Sequence, residues 1–196
     1  PLQVPDKYFA AFTKRGHDAT LASVYGMVAN LDDNVGRLLA RLDDLRLRDD
    51  TIVIFVTDNG PAGDRYNAGM RGRKGSVHEG GVRVPFFIRW PARLNPRRVD
   101  RVAAHIDLLP TLVDLAGLTM SGGKPIDGRS LRPLVEGGAA AGWPDRMLFT
   151  HQARPDGPPD AYPGAVRTEQ YRLVNEGMGW QLFDMHADPG QKTDVA

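Results

Sequence analysis

The heptapeptide TIVIFVT, residues 51–57, limits the possible folds more than any other stretch of this chain. It is a continuous run of β-branched and aromatic side chains without polar alternation, which predicts a strand covered on both faces inside a parallel sheet. The preceding segment has a different period. Leu21, Val24, Tyr25, Val28, Leu31, Val35, Leu38, Leu39, Leu42 and Leu45 recur at steps of three and four and predict one long amphipathic helix over 21–45, with Asp18 or Thr20 as its N-cap. Long helix followed by buried strand is the signature of an α/β fold.

Further along, VPFFIRW at 84–90 predicts a second buried strand, and DLLPTLVDLAG at 107–117 a short helix. Asp107 is placed to cap that helix, Pro110 is tolerable in its first turn, and Gly117 ends it. After about residue 119 glycine and proline punctuate the sequence, which predicts a connecting segment over 120–139 with a short helical turn. RMLFTH, GAVRTEQYRLVNE and WQLFDM then alternate weakly between turn residues, which predicts a small antiparallel sheet within 140–196. The expected architecture is part of a mainly parallel sheet flanked by helices, followed by a small antiparallel C-terminal subdomain.

Composition removes several functions. The 196 residues carry 25 basic and 24 acidic side chains, a net charge of +1, so no global field draws the chain to nucleic acid or to a membrane surface. No apolar run approaches the length of a membrane span. Cysteine is absent, which excludes disulfides, thiolate metal sites and a cysteine nucleophile within these residues.

The apolar run at 51–57 ends abruptly in Asp58, Asn59 and Gly60. Ligands gather at the carboxyl ends of strands in open α/β sheets, and a carboxylate beside a carboxamide offers hard oxygen donors suited to Ca²⁺ or Mg²⁺. The same tripeptide is also a good turn. From Gly60 to Gly81 there are seven glycines and no apolar period, a loop long enough to have a task. Asp64 is outnumbered in it by Arg65, Arg71, Arg73 and Lys74, so the loop can form a local anion pocket, although spacing alone does not choose which cation faces inward.

These residues carry a resemblance. TIVIFVTDNGP, GMRGRKGSVHEGGVRVPFFIRWP and AAHIDLLPTLVDLAGL are similar to consecutive motifs of the type I sulfatase family, in the alkaline phosphatase superfamily. YGMVANLDDNVGRLLARLDDL resembles the helix before the metal strand, IDGRSLRPLVEG a later segment, and AVRTEQYRLV with WQLFDMHADPGQKTDVA the C-terminal ending. Nearly the whole chain is covered, with the motifs in order.

The resemblance implies that Asp58 and Asn59 are ligands of one divalent cation, normally Ca²⁺, completed by two aspartates outside these residues. It implies that Lys74 contacts the sulfate of the substrate, a catalytic and substrate-binding role that is electrostatic, with Arg71 and His78 at the binding site. His78 is expected to line it. Glu79 and Arg83 match recurrent positions and are expected to fix the loop, because charged groups among glycines need partners to hold a conformation. The other histidines, His17, His105, His151 and His186, have no close ligand spacing and are expected in helix-end, core or surface roles.

Departures from the family pattern shape the expectation. The C/S-x-P-x-R motif, whose cysteine or serine becomes formylglycine, does not occur in the sequence, and PLQVPDKY resembles the segment just after a catalytic histidine. Residues 1–119 are therefore expected to be the C-terminal portion of a sulfatase catalytic domain that depends on an N-terminal part of the same protein. The isolated segment is expected to be inactive, with one sheet edge and part of the 21–45 helix face uncovered. The implied substrate is a sulfated small molecule or glycan. Two alternatives stand beside this reading: a phosphoester or phosphonate hydrolase of the same superfamily, against which Asn59 in place of histidine argues, and a non-catalytic sulfatase-like binding module. Residues 1–196 carry no signal-peptide pattern, and the periplasmic or secreted setting comes from the resemblance alone.

Overall fold

The computed structural model describes residues 2–138, 143–152 and 162–196. Residues 139–142, at the junction of the expected connecting segment and C-terminal subdomain, lie outside the described residues, as do 153–161 within that subdomain. The fold is α/β and divides into two compact units, residues 1–53 with 89–92, and residues 54–88 with 93–196.

The first unit is built on two helices, α1 (Asp6–Thr13) and α2 (Ala19–Asp44). Asp18 caps α2 by accepting a hydrogen bond from the Leu21 amide at 2.9 Å, as its position predicts. The helices meet at Ala22, which is fully buried, and at Gly26, where an added Cβ would press on the α1 backbone at Tyr8 and Phe9. Small residues there let the two backbones approach closely. Tyr8 donates to Asp33 at 2.6 Å across the pair, and the rings of Phe12, His17 and Tyr25 pack together. The expected apolar stripe of α2 is only partly covered: Val28, Leu31, Leu38 and Leu45 stay exposed. No helix among the described residues is long and apolar enough to cross a membrane.

Strand β1 (Val53–Val56) pairs with β2 (Phe86–Arg89) in a two-stranded sheet, with Phe55 and Phe87 6.2 Å apart between ring centroids. Both strands are shorter than the apolar runs that predict them, and β1 is half-buried along its length. Between them the chain runs through the glycine-rich loop into a single helical turn, α3 (Glu79–Val82).

Helix α4 (Leu108–Leu115) follows a short 3₁₀ turn at His105–Asp107. Asp107 does not cap α4 with its side chain, contrary to expectation. Its carboxylate turns away, accepting from the amides of Ala104 and Arg129 at 2.8 Å and pairing with Arg146 at 2.9 Å. The partner that wins is the buried guanidinium, since a carboxylate with no solvent access needs a countercharge more than a helix end needs a cap. The expected helical turn appears as α5 (Arg132–Val135), with Leu131, Leu134 and Leu115 buried together with Thr111.

The four strands β3 (Leu148–His151), β4 (Gly164–Arg167), β5 (Tyr171–Asn175) and β6 (Trp180–Asp184) form an antiparallel sheet in chain order. Its register places Ala165 opposite Val174, and Arg172 opposite both Arg167 and Phe183. Because side chains alternate along a strand, these residues share one face. That face carries the core of Val77, Ala165, Val174, Phe183 and Met185, so the sheet closes on the glycine-rich loop through Val77.

Candidate functional site

Strand β1 delivers Asp58 to an exposed position one residue beyond Thr57. The Asn59 side-chain amide donates to Asp58 Oδ2, so the pair is oriented by its own hydrogen bond and the Asn59 carbonyl oxygen is left as a second hard donor. His105 donates from Nε2 to the Thr57 carbonyl at 2.8 Å and steadies the strand end. Among the described residues no group of three or more His, Cys, Asp or Glu side chains gathers as a metal cage.

The loop returns to this strand end by backbone contacts. Gly60 donates to the Gly81 carbonyl at 2.8 Å, and Lys74 donates from its amide to Pro61 at 3.0 Å. Glycine is required at this closure, because a Cβ on Gly60 would run into the Gly80 carbonyl and one on Gly81 into the Ser76 carbonyl. The loop is thus folded back so that Lys74 lies beside the segment that follows Asp58 and Asn59.

The structure separates the four cations that spacing alone leaves equivalent. Arg73 is neutralised by Asp64 at 2.6 Å, and Arg65 donates to the carbonyl of Ala62. Arg71 lies over the ring of Phe183, 5.5 Å from its centroid, a cation–π contact that holds it against β6. Lys74 is exposed, and among the described residues no carboxylate or hydrogen-bond acceptor engages its ammonium.

His78 is 2 % exposed, with its ring edge-on to Phe183 at 5.9 Å. Neither ring nitrogen makes an aligned hydrogen bond among the described residues, though Nε2 lies 3.4 Å from a Glu176 carboxylate oxygen. Burial pushes its pKa down, and the neighbouring Arg71 adds to that, while Glu176 works in the opposite direction.

Glu79 is buried at 5 % exposure and holds three arginines: Arg172 at 2.9 Å, Arg83 at 3.6 Å and Arg167 at 3.7 Å. Glu79 makes the contacts that a loop-fixing role needs, whereas the Arg83 side chain is exposed and meets Glu79 only at 3.6 Å. Arg167 and Arg172 stand directly opposite each other on adjacent strands, an arrangement that would repel without the carboxylate beside them. Burial pulls both guanidiniums below their ordinary pKa, and Glu79 pulls them back up.

Arg167, Arg172, Arg146 and Gln191 were not picked out by motif. A signal existed for Arg172: it shares strand parity with the apolar Val174, and a charged residue at an inward position requires a buried partner. Nothing in the sequence pointed to Gln191, which accepts from the Glu79 amide at 2.7 Å across a separation of 112 residues.

Comparison with known proteins gives the class. The sulfatase family profile matches residues 1–118, and the profile described as N-sulphoglucosamine sulphohydrolase, C-terminal, matches residues 73–196. The chain belongs to the sulfatase family. It is 37% identical over 164 residues to arylsulfatase A of Homo sapiens, covering 81% of this chain and 31% of that protein. Among solved structures, Ps i-CgsB in complex with k-i-k-neocarrahexaose superposes with a TM-score of 0.85 at 27% identity, covering 100% of this chain and 43% of that one. The phosphonate monoester hydrolase SpPMH from Silicibacter pomeroyi superposes with a TM-score of 0.69 at 28% identity, over 91% of this chain and 37% of that one. The chain thus spans less than half the length of each of these relatives.

Proposed function

We propose that this chain supplies the cation and sulfate contacts of a sulfuric ester hydrolase, with Lys74 as the residue that meets the substrate's sulfate. The observation that carries this reading is the selective freedom of Lys74. All three cations are exposed, but Arg73 is paired with Asp64 and Arg71 is seated on Phe183, so that Lys74 alone of the three has neither a carboxylate nor an aromatic ring against its charge among the described residues. An unpaired ammonium, on a loop whose backbone is pinned beside the carboxyl end of β1, is available to an anion that reaches that end. Its contribution is electrostatic: it offsets the negative charge that moves onto the ester oxygens as the S–O bond breaks. Arg71 completes the basic side of the pocket, and His78, buried and packed against Phe183, supports the loop from behind.

Asp58 and Asn59 fit a hard divalent cation, Ca²⁺ by preference, because both offer oxygen and neither offers the imidazole or thiolate that softer metals favour. Ca²⁺ takes six to eight oxygens, so the remaining ligands come from outside these residues. When bound, the cation would supply charge neutralisation at the sulfate oxygens. The attacking group, the formylglycine hydrate that the family resemblance implies, also lies outside these residues, and 1–196 alone are proposed to be inactive. The complex of Ps i-CgsB with a hexaose and the profile match to the sulphohydrolase C-terminal region favour a sulfated saccharide as substrate.

The test is turnover of matched esters by the enzyme that carries this chain. An aryl sulfate is expected to be hydrolysed in preference to an aryl phosphonate monoester. The opposite preference would establish the phosphonate hydrolase reading, and turnover of neither, with sulfate still bound, would establish a binding module.

A further inference from the structure

We propose that Arg172 of the C-terminal sheet is a positioning residue for the anion site, acting through the loop that carries Lys74. This deepens the proposed function and rests on its reading of Lys74 as the sulfate contact.

The loop from Arg71 to His78 has no helix or strand of its own, and its described long-range anchors belong largely to the C-terminal sheet and the segment after it. Arg172 provides the central one. Its Nη1 donates to the Val77 carbonyl at 2.7 Å, while Nε and Nη2 reach the same Glu79 carboxylate oxygen at 3.1 and 2.9 Å. One guanidinium thus ties the backbone at Val77 to the side chain of Glu79 at the start of α3. Around it, Gln191 accepts from the Glu79 amide, Glu176 accepts from Ser76 Oγ at 3.1 Å, and Phe183 carries Arg71. Each anchor lies within a few residues of Lys74, and none touches Lys74 itself.

The fork of arginine suits this clamp. The planar fork offers several donors in fixed directions, whereas a lysine ammonium is a single centre on a shorter side chain and does not reproduce the three separate contacts to Val77 and Glu79. Arg172 is 3 % exposed and Glu79 5 %, so water cannot take the place of a lost contact. With the clamp loosened, the peptide from Arg73 to Val77 gains freedom and the Lys74 ammonium is no longer preset for its anion. Small misplacements of a preorganised group lower catalysis steeply.

The test is a double-mutant cycle in the enzyme carrying this chain, combined with amide hydrogen exchange. Arg172→Lys is expected to lower kcat/KM for an aryl sulfate by about tenfold or more. In a Lys74→Ala background the same substitution is expected to change it by less than about twofold, because the residue through which it acts is gone. Equal losses in both backgrounds would overturn the proposal. Amide exchange over residues 71–78 is expected to quicken in Arg172→Lys while exchange in α2 is unchanged, and unaltered exchange at 71–78 would overturn the proposal whatever the activity shows. Should Lys74→Ala keep full activity, the sulfate assignment of Lys74 fails, and the exchange experiment still decides whether Arg172 holds the loop. Glu79→Gln, which keeps the side-chain shape and removes the charge facing Arg172, provides the same two readouts if Arg172→Lys does not fold.

Discussion

Arg146 Nη1 lies 2.9 Å from both carboxylate oxygens of Asp107, and neither side chain reaches solvent beyond a few per cent. This pair ties the turn before α4 to the segment entering β3, and Asp107 also accepts from the amides of Ala104 and Arg129. Removing one member leaves a buried charge without its partner. Arg146→Met is expected to destabilise the protein by about 3–5 kcal/mol, and the double substitution Asp107→Asn with Arg146→Met by less than the sum of the single ones. Chemical denaturation of the four proteins measures this, and strict additivity would mean that the two charges do not support each other.

His78 gives stability a pH dependence of known sign. Its folded pKa lies below the ordinary imidazole value of about 6.5, chiefly through burial and secondarily through Arg71. The unfolded chain therefore takes up a proton first, so stability is full above about pH 6.5 and declines as pH falls toward the folded value. His78→Phe keeps an aromatic edge against Phe183 and removes the titration. The wild type is expected to lose more stability than this variant between pH 7 and 5, and parallel curves would show that His78 is not the titrating group.

Asp58 provides the anionic half of the strand-end pair. Calcium is expected to raise the thermal midpoint of the enzyme carrying this chain, and Asp58→Ala to remove most of that rise by weakening binding to the native state. Asn59→His is expected to shift preference from Ca²⁺ toward Mn²⁺ or Zn²⁺, since nitrogen replaces oxygen. A calcium response undiminished in Asp58→Ala would remove Asp58 from the cation site.

Local pattern carried the main elements. The 3.6-residue period of α2 and the Asp18 cap are properties of a few adjacent residues, and the structure has both. The strand at 51–57 was also legible, but its ends were not: β1 keeps only Val53–Val56, because pairing rather than apolarity sets where a strand stops. The pairing of Arg73 with Asp64 was hidden for a different reason. Both residues stand in the sequence, yet which loop cation a carboxylate selects depends on the path of a glycine-rich backbone. Glu79 illustrates the limit further. Its need for partners was readable from its setting, while Arg172, which lies 93 residues away, is brought to it only by the register of β5 within the sheet.

Lys74, and not its neighbour Arg73, is proposed to meet the sulfate. The most direct measurement is kcat/KM for an aryl sulfate in the enzyme carrying this chain, compared among the wild type, Lys74→Ala and Arg73→Ala. Losing one preorganised electrostatic contact is expected to lower the value by about 10²-fold in Lys74→Ala. Arg73, already neutralised by Asp64, is expected to matter by less than about fivefold, in keeping with an exposed ion pair. Equal losses in the two variants, or full activity in Lys74→Ala, would show that Lys74 is not the sulfate contact.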